Sequence, residues 1–259
     1  MKPKAGFPMH YPAHTIIYNA AIEALPQEMR RRFAFSKETL GVFANYPDLF
    51  DDPGRPRTEK SKIDPDFERY AIYRNPDFPR LMFRLHAAAG SPLRQQERIW
   101  LYVHFYRSMS DAAARGDFAD LAKTGGCLSH LIGDTLQLAH LFPEYPDDEC
   151  IRRLLPPPAL PEFSHPGGIH TQLEAVIGKC GVLRPEDPFG ETVHEAAWHT
   201  ALRLHEAAEK FQALVIPAVQ ALYAKDSDRL ERIVSEPLTR SAELTRDALV
   251  TVFRIGKIR

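Results

Sequence analysis

The sequence is poor in cysteine and contains no long apolar run. The longest candidate for a membrane span, Leu214–Ala224, is too short and is interrupted by a proline and a glutamine, so we expect no transmembrane segment. The basic N-terminus leads into no apolar segment and does not resemble a signal peptide. The chain as written therefore fits a cytoplasmic protein, or an exported one if a leader was removed. The three cysteines are too few for a disulfide framework: Cys127, Cys150 and Cys180.

Neither sign of charge dominates the chain. The 33 basic residues are balanced by 34 acidic ones, so the sequence has no strong basic footprint for nucleic acid. With 44% hydrophobic and 26% charged residues, the composition is that of a globular protein and argues against a disordered chain. Proline (22) outnumbers glycine (14), which suits helices with sharp ends better than a β protein with many turns.

Apolar residues recur at helical spacing over most of the chain, and no run of alternating apolar and polar residues indicates a strand. We therefore predict a single all-α domain over residues 1–259, folded as a multi-helix bundle. The predicted helices span about residues 13–25, 26–45, 78–89, 92–115, 117–141, 168–180, 191–223, 227–235 and 237–254. Two proline-rich stretches, residues 46–80 and 141–168, are predicted to be long ordered loops, which in compact domains are often functional.

The most informative segment holds a histidine and an acid four residues apart. His130 and Asp134 would project from one helix face, and an imidazole with a carboxylate is a common pair of zinc ligands. His140 lies further along, roughly 15 Å from His130 if the helix continues. This separation favours two metal centres, one at His130 and Asp134 and one at His140. The alternative is a buried helix whose polar residues hydrogen-bond to one another.

A second pair with the same spacing follows the second proline-rich stretch. His170 and Glu174 are also four residues apart, and they lie on the next predicted element after His140. The spacing alone is common among solvent-exposed ion pairs. The position in the chain makes His170 and Glu174 the candidate partners of His140.

The order of these residues resembles that of the zinc-dependent phospholipase C and single-strand-specific nuclease superfamily. The most specific part is the run His130-x3-Asp134-x5-His140, followed by His170-x3-Glu174. Two weaker matches lie near the N-terminus: the segment that begins at His14 is similar to the first-helix histidine motif, and the segment Tyr46-Pro47-Asp48 is similar to the early aspartate motif. The resemblance covers about residues 10–180.

This resemblance implies an all-α fold with a cluster of one to three Zn²⁺ ions in a cleft, two being the expected number here. The first zinc would be held by His130, Asp134 and Asp48, with Asp134 as a bridge; the second by His140, His170 and Glu174; the third by His14. Asp48 could also act as a general base. The implied activity is hydrolysis of a phosphodiester or phospholipid by metal-activated water, and glutamate at position 174 favours the phospholipase branch.

The sequence departs from the family at two positions. The family uses an N-terminal tryptophan as a zinc ligand, whereas the first tryptophan here is Trp100. The family also has a histidine in the loop after the early aspartate, where this chain has Glu68 or Arg69. Only Glu68 of these two could coordinate a metal, because the guanidinium stays protonated. These departures favour the alternative of a catalytically degenerate member, a helical metal-binding or interaction protein.

Overall fold

The computed structural model describes residues 12–51, 54–74, 82–84, 95–141, 172–173, 175–176 and 178–257. These residues form a multi-helix assembly, which confirms the predicted all-α class. The helices are α1 (Pro12–Glu23), α2 (Gln27–Arg30), α3 (Lys37–Ala44), α4 (Tyr46–Asp51), α5 (Arg57–Ile63), α6 (Phe67–Ala71), α7 (Gln95–Ala114), α8 (Phe118–Leu136), α9 (Val193–Tyr223) and α10 (Ser227–Ile255). A 3₁₀ turn spans Leu138–His140, and two short antiparallel strands, β1 (Ile72–Arg74) and β2 (Met82–Arg84), pair with Tyr73 opposite Phe83.

Helix α8 lies at the centre of the assembly. Every residue from Thr124 to Leu136 is buried, and α1, α3, α7 and α10 all pack against this helix. A helix that is covered on all sides takes its polar side chains into the interior, where an unpartnered polar group costs about 1–3 kcal/mol. The histidine and the aspartate that α8 carries must therefore find partners on the surrounding helices. Among the described helices, none is both long and apolar enough to cross a membrane.

The start of α8 agrees with the prediction, but its end does not. The Asp117 side chain accepts a hydrogen bond from the backbone N–H of Asp120 and caps the helix as predicted. The helix then ends at Leu136, because Gln137 has an extended backbone (φ −62°, ψ 128°). His140 consequently lies in the separate 3₁₀ turn, and the prediction of one helix through residue 141 is wrong. The apolar pattern runs on through Leu138 and hides this break.

The predicted loop over residues 46–80 is also wrong. Within it the structure forms α4, α5, α6 and β1, because prolines begin these helices instead of preventing them. Pro47 lies in the first turn of α4 and Pro56 immediately precedes α5, positions at which a missing N–H costs the helix no hydrogen bond. The predicted helix over residues 78–89 contains β2, a strand too short to show an alternating pattern.

Two further helix boundaries differ from the prediction. The helix predicted over residues 26–45 is divided into α2 and α3, and Ser36 caps the second by accepting the N–H of Thr39. The helices predicted over residues 227–235 and 237–254 are one continuous helix, α10, with Pro237 inside it. The apolar side chains of Val234 and Leu238 are buried on either side of this proline, so packing holds the helix together where one backbone hydrogen bond is lost.

An extended segment, residues 178–190, runs along α10 and is called the strap below. The prediction of a helix through residue 180 is therefore wrong at its C-terminal end. Backbone N–H groups of the strap donate to side chains spaced four residues apart on α10: Lys179 to Ser235, Gly181 to Thr239, Arg184 to Glu243, Asp187 to Asp247 and Phe189 to Thr251. One face of α10 thus supplies the hydrogen bonds that a neighbouring strand would give to an extended chain.

Glu243 is the most heavily bonded member of this face. Its carboxylate accepts hydrogen bonds from the side chains of Arg184 and Arg240 and is 3% exposed. Burial raises the pKa of Glu243, but the hydrogen bonds from Arg184 and Arg240 outweigh burial and lower that pKa to about 2. The carboxylate therefore stays ionised, and its hydrogen bonds from the backbone and the guanidinium of Arg184 hold the middle of the strap against α10.

Candidate metal centre

The structure brings four of the seven predicted ligands together. His14 from α1, Asp48 from α4, and His130 and Asp134 from α8 meet at one point in the interior. The Nε2 atom of His14 lies 3.2 Å from Asp134 Oδ1, and the Nε2 atom of His130 lies 3.2 Å from Asp134 Oδ2. Asp48 Oδ1 is 3.6 Å from His130 Nε2. These side chains form the cluster.

His14 reaches the cluster because α8 has a glycine opposite it. A Cβ atom at Gly133 would lie only 3.0 Å from His14 Nδ1, so a larger residue would displace the imidazole. The His14 ring stacks on His130 with a centroid distance of 3.8 Å and an angle of 24° between the planes. Two stacked imidazolium ions would repel each other. The stacking therefore favours a state in which at most one ring is charged.

A backbone carbonyl sets the orientation of His130. Its Nδ1 lies 2.9 Å from the carbonyl oxygen of Ala44, the last residue of α3. Because a carbonyl only accepts, Nδ1 carries the proton and donates it. This bond satisfies one of the carbonyl groups that a helix leaves unpaired at its C-terminus. It also aims His130 Nε2 at the carboxylates of Asp134 and Asp48.

The short distance between α3 and α8 depends on a second glycine. A Cβ atom at Gly126 would lie 2.6 Å from the backbone carbon of Phe43 and 2.9 Å from the nitrogen of Ala44. These contacts are with main-chain atoms, which cannot rotate away as the end of a side chain can. Glycine at position 126 therefore lets Ala44 approach closely enough to accept the hydrogen bond from His130.

In the absence of a metal, the protonation of His130 determines the charge of the cluster. Burial lowers the pKa of His130, but the carboxylates of Asp134 and Asp48 outweigh it and raise that pKa to about 9. Burial raises the pKa of Asp134, whereas the positive charge of His130 and the close contacts with the imidazoles of His130 and His14 hold that pKa well below its usual range. At neutral pH a proton on His130 Nε2 therefore balances part of the carboxylate charge. A metal cation in place of this proton would face the lone pairs of the same imidazole nitrogens and carboxylate oxygens.

The donor set and its spacing suit a divalent transition metal. The ligand atoms of His14, Asp48 and His130 all lie within 4.8 Å of one another. Ligands about 2.0–2.1 Å from a tetrahedral zinc ion are roughly 3.3 Å apart, close to the 3.2 Å and 3.6 Å contacts found here. Two imidazoles with carboxylates suit Zn²⁺, and also Mn²⁺ or Fe²⁺.

One buried oxygen atom also supports a metal site at the cluster. Asp134 Oδ2 accepts no hydrogen bond from any residue that the structure describes, although it lies 3.2 Å from His130 Nε2. A short contact without hydrogen-bond alignment is expected where both atoms point towards a common cation. The cluster could therefore hold a metal ion.

Of the three ligands predicted for a second centre, the structure describes only His140. His140 is half-buried in its 3₁₀ turn and belongs to no group of potential metal ligands in the described ranges. His170 and Glu174 lie outside the described residues. Leu173 and Val176, however, line a small apolar cavity whose wall also includes His14. Leu173 and Val176 thus share a cavity wall with His14, and the second centre stays a prediction.

Neither candidate for the family's loop histidine lies at the cluster. Glu68 forms an ion pair with Arg57 at the surface, 3.0 Å away, and Arg69 contacts Asp120 at 2.6 Å. Asp120 lies near the start of α8, about 21 Å along the helix axis from Asp134. Tyr70 of the same segment lies against Cys127, three residues before His130, so the segment passes near α8 but offers no ligand from Glu68 or Arg69.

Sequence reasoning missed the groups that orient the ligands. The Ala44 carbonyl has no signature, because every residue carries one. Gly126 and Gly133 could have been noticed, since glycine inside a helix costs stability and often marks a close approach of another backbone or side chain. No protein-family model matches the chain, and neither a curated protein nor a solved structure matches it.

Proposed function

We propose that the cluster binds a divalent metal ion, zinc first among them, and that the chain is a metal-dependent phosphoric ester hydrolase of the phospholipase C type. The convergence of two imidazole Nε2 atoms and two carboxylates in the interior supports this proposal most directly. The hydrogen bond from His130 Nδ1 to Ala44 supports it further, because such outer contacts typically orient a metal-binding histidine.

Each residue of the cluster has a proposed role. His14, Asp48, His130 and Asp134 would hold the ion, and the two oxygens of Asp134 face different histidines. Asp48 is the more exposed of the two carboxylates: 18% of its side chain is exposed, against 4% for Asp134. It is therefore the residue that accepts a proton from the attacking water. When bound there, a zinc ion lowers the pKa of water towards ~7 and polarises a phosphoryl oxygen.

A second ion at His140, His170 and Glu174 is the further part of the proposal that the family resemblance supports. The substrate would be a phosphodiester or a phospholipid. The position of Leu173 and Val176 beside His14 is compatible with this arrangement, because these residues flank Glu174 in the chain. Two adjacent ions would stabilise both the attacking and the leaving oxygen of an in-line displacement.

Metal analysis with a hydrolysis assay tests this proposal. Protein purified without chelator is expected to contain at least one equivalent of zinc and to hydrolyse a chromogenic phosphodiester, phosphatidylcholine or single-stranded DNA in a chelator-sensitive manner. The His205→Ala variant is the control, because His205 and Glu209 have the same four-residue spacing but lie exposed, 3.3 Å apart. It should keep both metal and activity.

Two other results would change the interpretation. A wild-type protein that binds no zinc, manganese or iron in solution contradicts the proposed metal site. One tightly bound equivalent without hydrolysis of any of the three substrates supports the alternative, a helical metal-binding protein. The stabilisation of the cluster by a proton on His130 favours that alternative, because the site can persist without catalysing a reaction.

Metal affinity is expected to rise with pH up to about 9. A metal can bind His130 Nε2 only after displacing its proton, so affinity should increase about tenfold per pH unit below the pKa of His130, which is about 9. In the metal-free protein, the contribution of His130 to stability depends on pH in the opposite sense. The folded-state pKa of His130 lies above its unfolded value, so its contribution to stability is complete below pH ~6.5 and is lost as pH rises through about 9.

Calorimetric titration with Zn²⁺ at several pH values, in buffers of different ionisation enthalpy, measures both the affinity and the protons released. Thermal unfolding of the metal-free protein over the same range measures the opposite trend. An affinity that does not change between pH 6.5 and 9 would show that His130 is not a ligand.

A further inference from the structure

A buried carboxylate outside the cluster attaches α4, the helix of Asp48, to α8. Asp64, which follows α5 and is 2% exposed, accepts hydrogen bonds from the hydroxyl of Tyr46 at 3.0 Å and from the backbone N–H of Asp66. It also forms an ion pair with Lys123 of α8 at 2.6 Å. A single carboxylate thus joins α4 to α8.

The position of Tyr46 connects this carboxylate to the cluster. Tyr46 is the first residue of α4 and precedes Asp48 by two positions, so its ring and the Asp48 side chain leave the same helical turn. Lys123 lies two helical turns before His130, on nearly the same side of α8. The hydrogen bond from Tyr46 to Asp64 therefore holds α4 against the helix that carries His130.

Besides the hydrogen bond from the side chain of Asn45 to Thr15, the stretch from Ala44 to Asp48 is held at two points. At its start, the Ala44 carbonyl accepts the hydrogen bond from His130, and at its centre Tyr46 donates to Asp64. Asp48 follows directly and reaches 3.6 Å from His130 Nε2. Without the second point, the first turn of α4 could pivot about Ala44 and carry the Asp48 carboxylate away.

We infer that Asp64 is a positioning residue, which sets the place of the Asp48 carboxylate through the hydroxyl of Tyr46. This inference rests on the proposed function, because it takes Asp48 to be a metal ligand. Loss of an outer partner of a metal ligand typically weakens metal binding 10- to 100-fold. Asp64 acts in this way through Tyr46 and touches neither the metal nor a substrate.

The protein contains a matched control for this contact. Tyr70 of α6 donates a hydrogen bond to the buried carboxylate of Asp120, also at 3.0 Å, and its ring contacts that of Tyr46 with a centroid distance of 5.4 Å. Asp120 in turn binds Arg69, as Asp64 binds Lys123. The two sets have the same chemistry, but Tyr70 lies on a helix that carries no proposed ligand.

Tyr46→Phe and Tyr70→Phe each remove one buried hydroxyl and are expected to lower the unfolding midpoint of the metal-free protein by similar amounts. Only Tyr46→Phe should weaken binding of Zn²⁺ and Mn²⁺, by about tenfold or more, whereas Tyr70→Phe should stay within about twofold of the wild type. Asp64→Asn should follow Tyr46→Phe. In an Asp48→Asn background, Tyr46→Phe should have no further effect on affinity, because it acts only through Asp48.

Two results would overturn the inference while leaving the metal site intact. One is an equal loss of affinity in the two tyrosine variants; the other is an affinity that Asp48→Asn lowers and Tyr46→Phe leaves unchanged. A further loss from Tyr46→Phe in the Asp48→Asn background would also contradict it, because the effect would not depend on Asp48. A wild-type protein that binds neither metal would overturn the proposed function, and the inference with it.

Discussion

The Gly126→Ala variant is expected to lose about 2 kcal/mol of unfolding free energy relative to the wild type and to bind zinc more weakly. The added Cβ atom would lie 2.6 Å from the backbone carbon of Phe43 and 2.7 Å from its oxygen, so α3 must move away from α8. Overpacking of a buried site costs about 1–3 kcal/mol and sometimes more, which exceeds the gain of about 1 kcal/mol from replacing a helical glycine by alanine. The same movement draws the Ala44 carbonyl away from His130.

Gly125→Ala is the control for this variant. Its added Cβ would meet the hydroxyl of Tyr18 at 3.0 Å and a methyl group of Leu249 at 3.1 Å, so these contacts are with side chains and not with the backbone of α3. We expect a smaller loss of stability and unchanged zinc affinity. Urea denaturation and zinc titration of both variants measure these effects. Equal stability of the Gly126→Ala variant and the wild type would show that α3 can move at little cost.

The Asp134→Asn variant is expected to lose zinc affinity by more than about 100-fold, beyond the loss caused by removing an outer partner. Asp134 is the only member of the cluster that contacts both histidines, at 3.2 Å each, so the substitution removes the charge that both imidazoles face. The metal-free protein should also lose about 3 kcal/mol of stability, because a protonated His130 would be left with a weaker counter-charge in a buried site.

Two variants separate this effect from a general loss of structure. Asp48→Asn should reduce zinc affinity less than Asp134→Asn, because Asp48 lies on a short helix at the edge of the cluster and contacts one histidine. Asp120→Asn removes a buried carboxylate from the same helix as Asp134, but one that binds Arg69 and Tyr70, and should leave zinc affinity unchanged. Titration with a fluorescent zinc competitor and urea denaturation measure both quantities. Equal affinity losses for Asp134→Asn and Asp48→Asn would remove Asp134 from its proposed central role.

The half of the cluster that lies on one helix could be predicted from the sequence. His130 and Asp134 are four residues apart, and helical geometry alone places such residues on one face. The meeting with His14 and Asp48 could not be predicted in this way, because it depends on how α1 and α4 cross α8. The family resemblance named both residues but assigned His14 to a separate ion, whereas the structure stacks its ring on His130.

The errors in the predicted fold have a common physical origin. A proline in the sequence indicates where a backbone hydrogen bond is missing, but it does not indicate whether packing compensates for the loss. Pro237 was therefore expected to end a helix that buried neighbours keep intact, and Pro47 was expected to mark a loop where it begins α4. The end of α8 before His140 was missed for the opposite reason, because the apolar pattern continues where the helix does not.

The strap determines which part of the chain is free to diverge. Its backbone N–H groups are bound by side chains of α10, and every residue except proline supplies such a group. Substitutions in the strap therefore change few of these bonds, whereas an apolar residue at Thr251 would leave the buried N–H of Phe189 without a partner. The contact therefore constrains the side chains of α10 more than those of the strap.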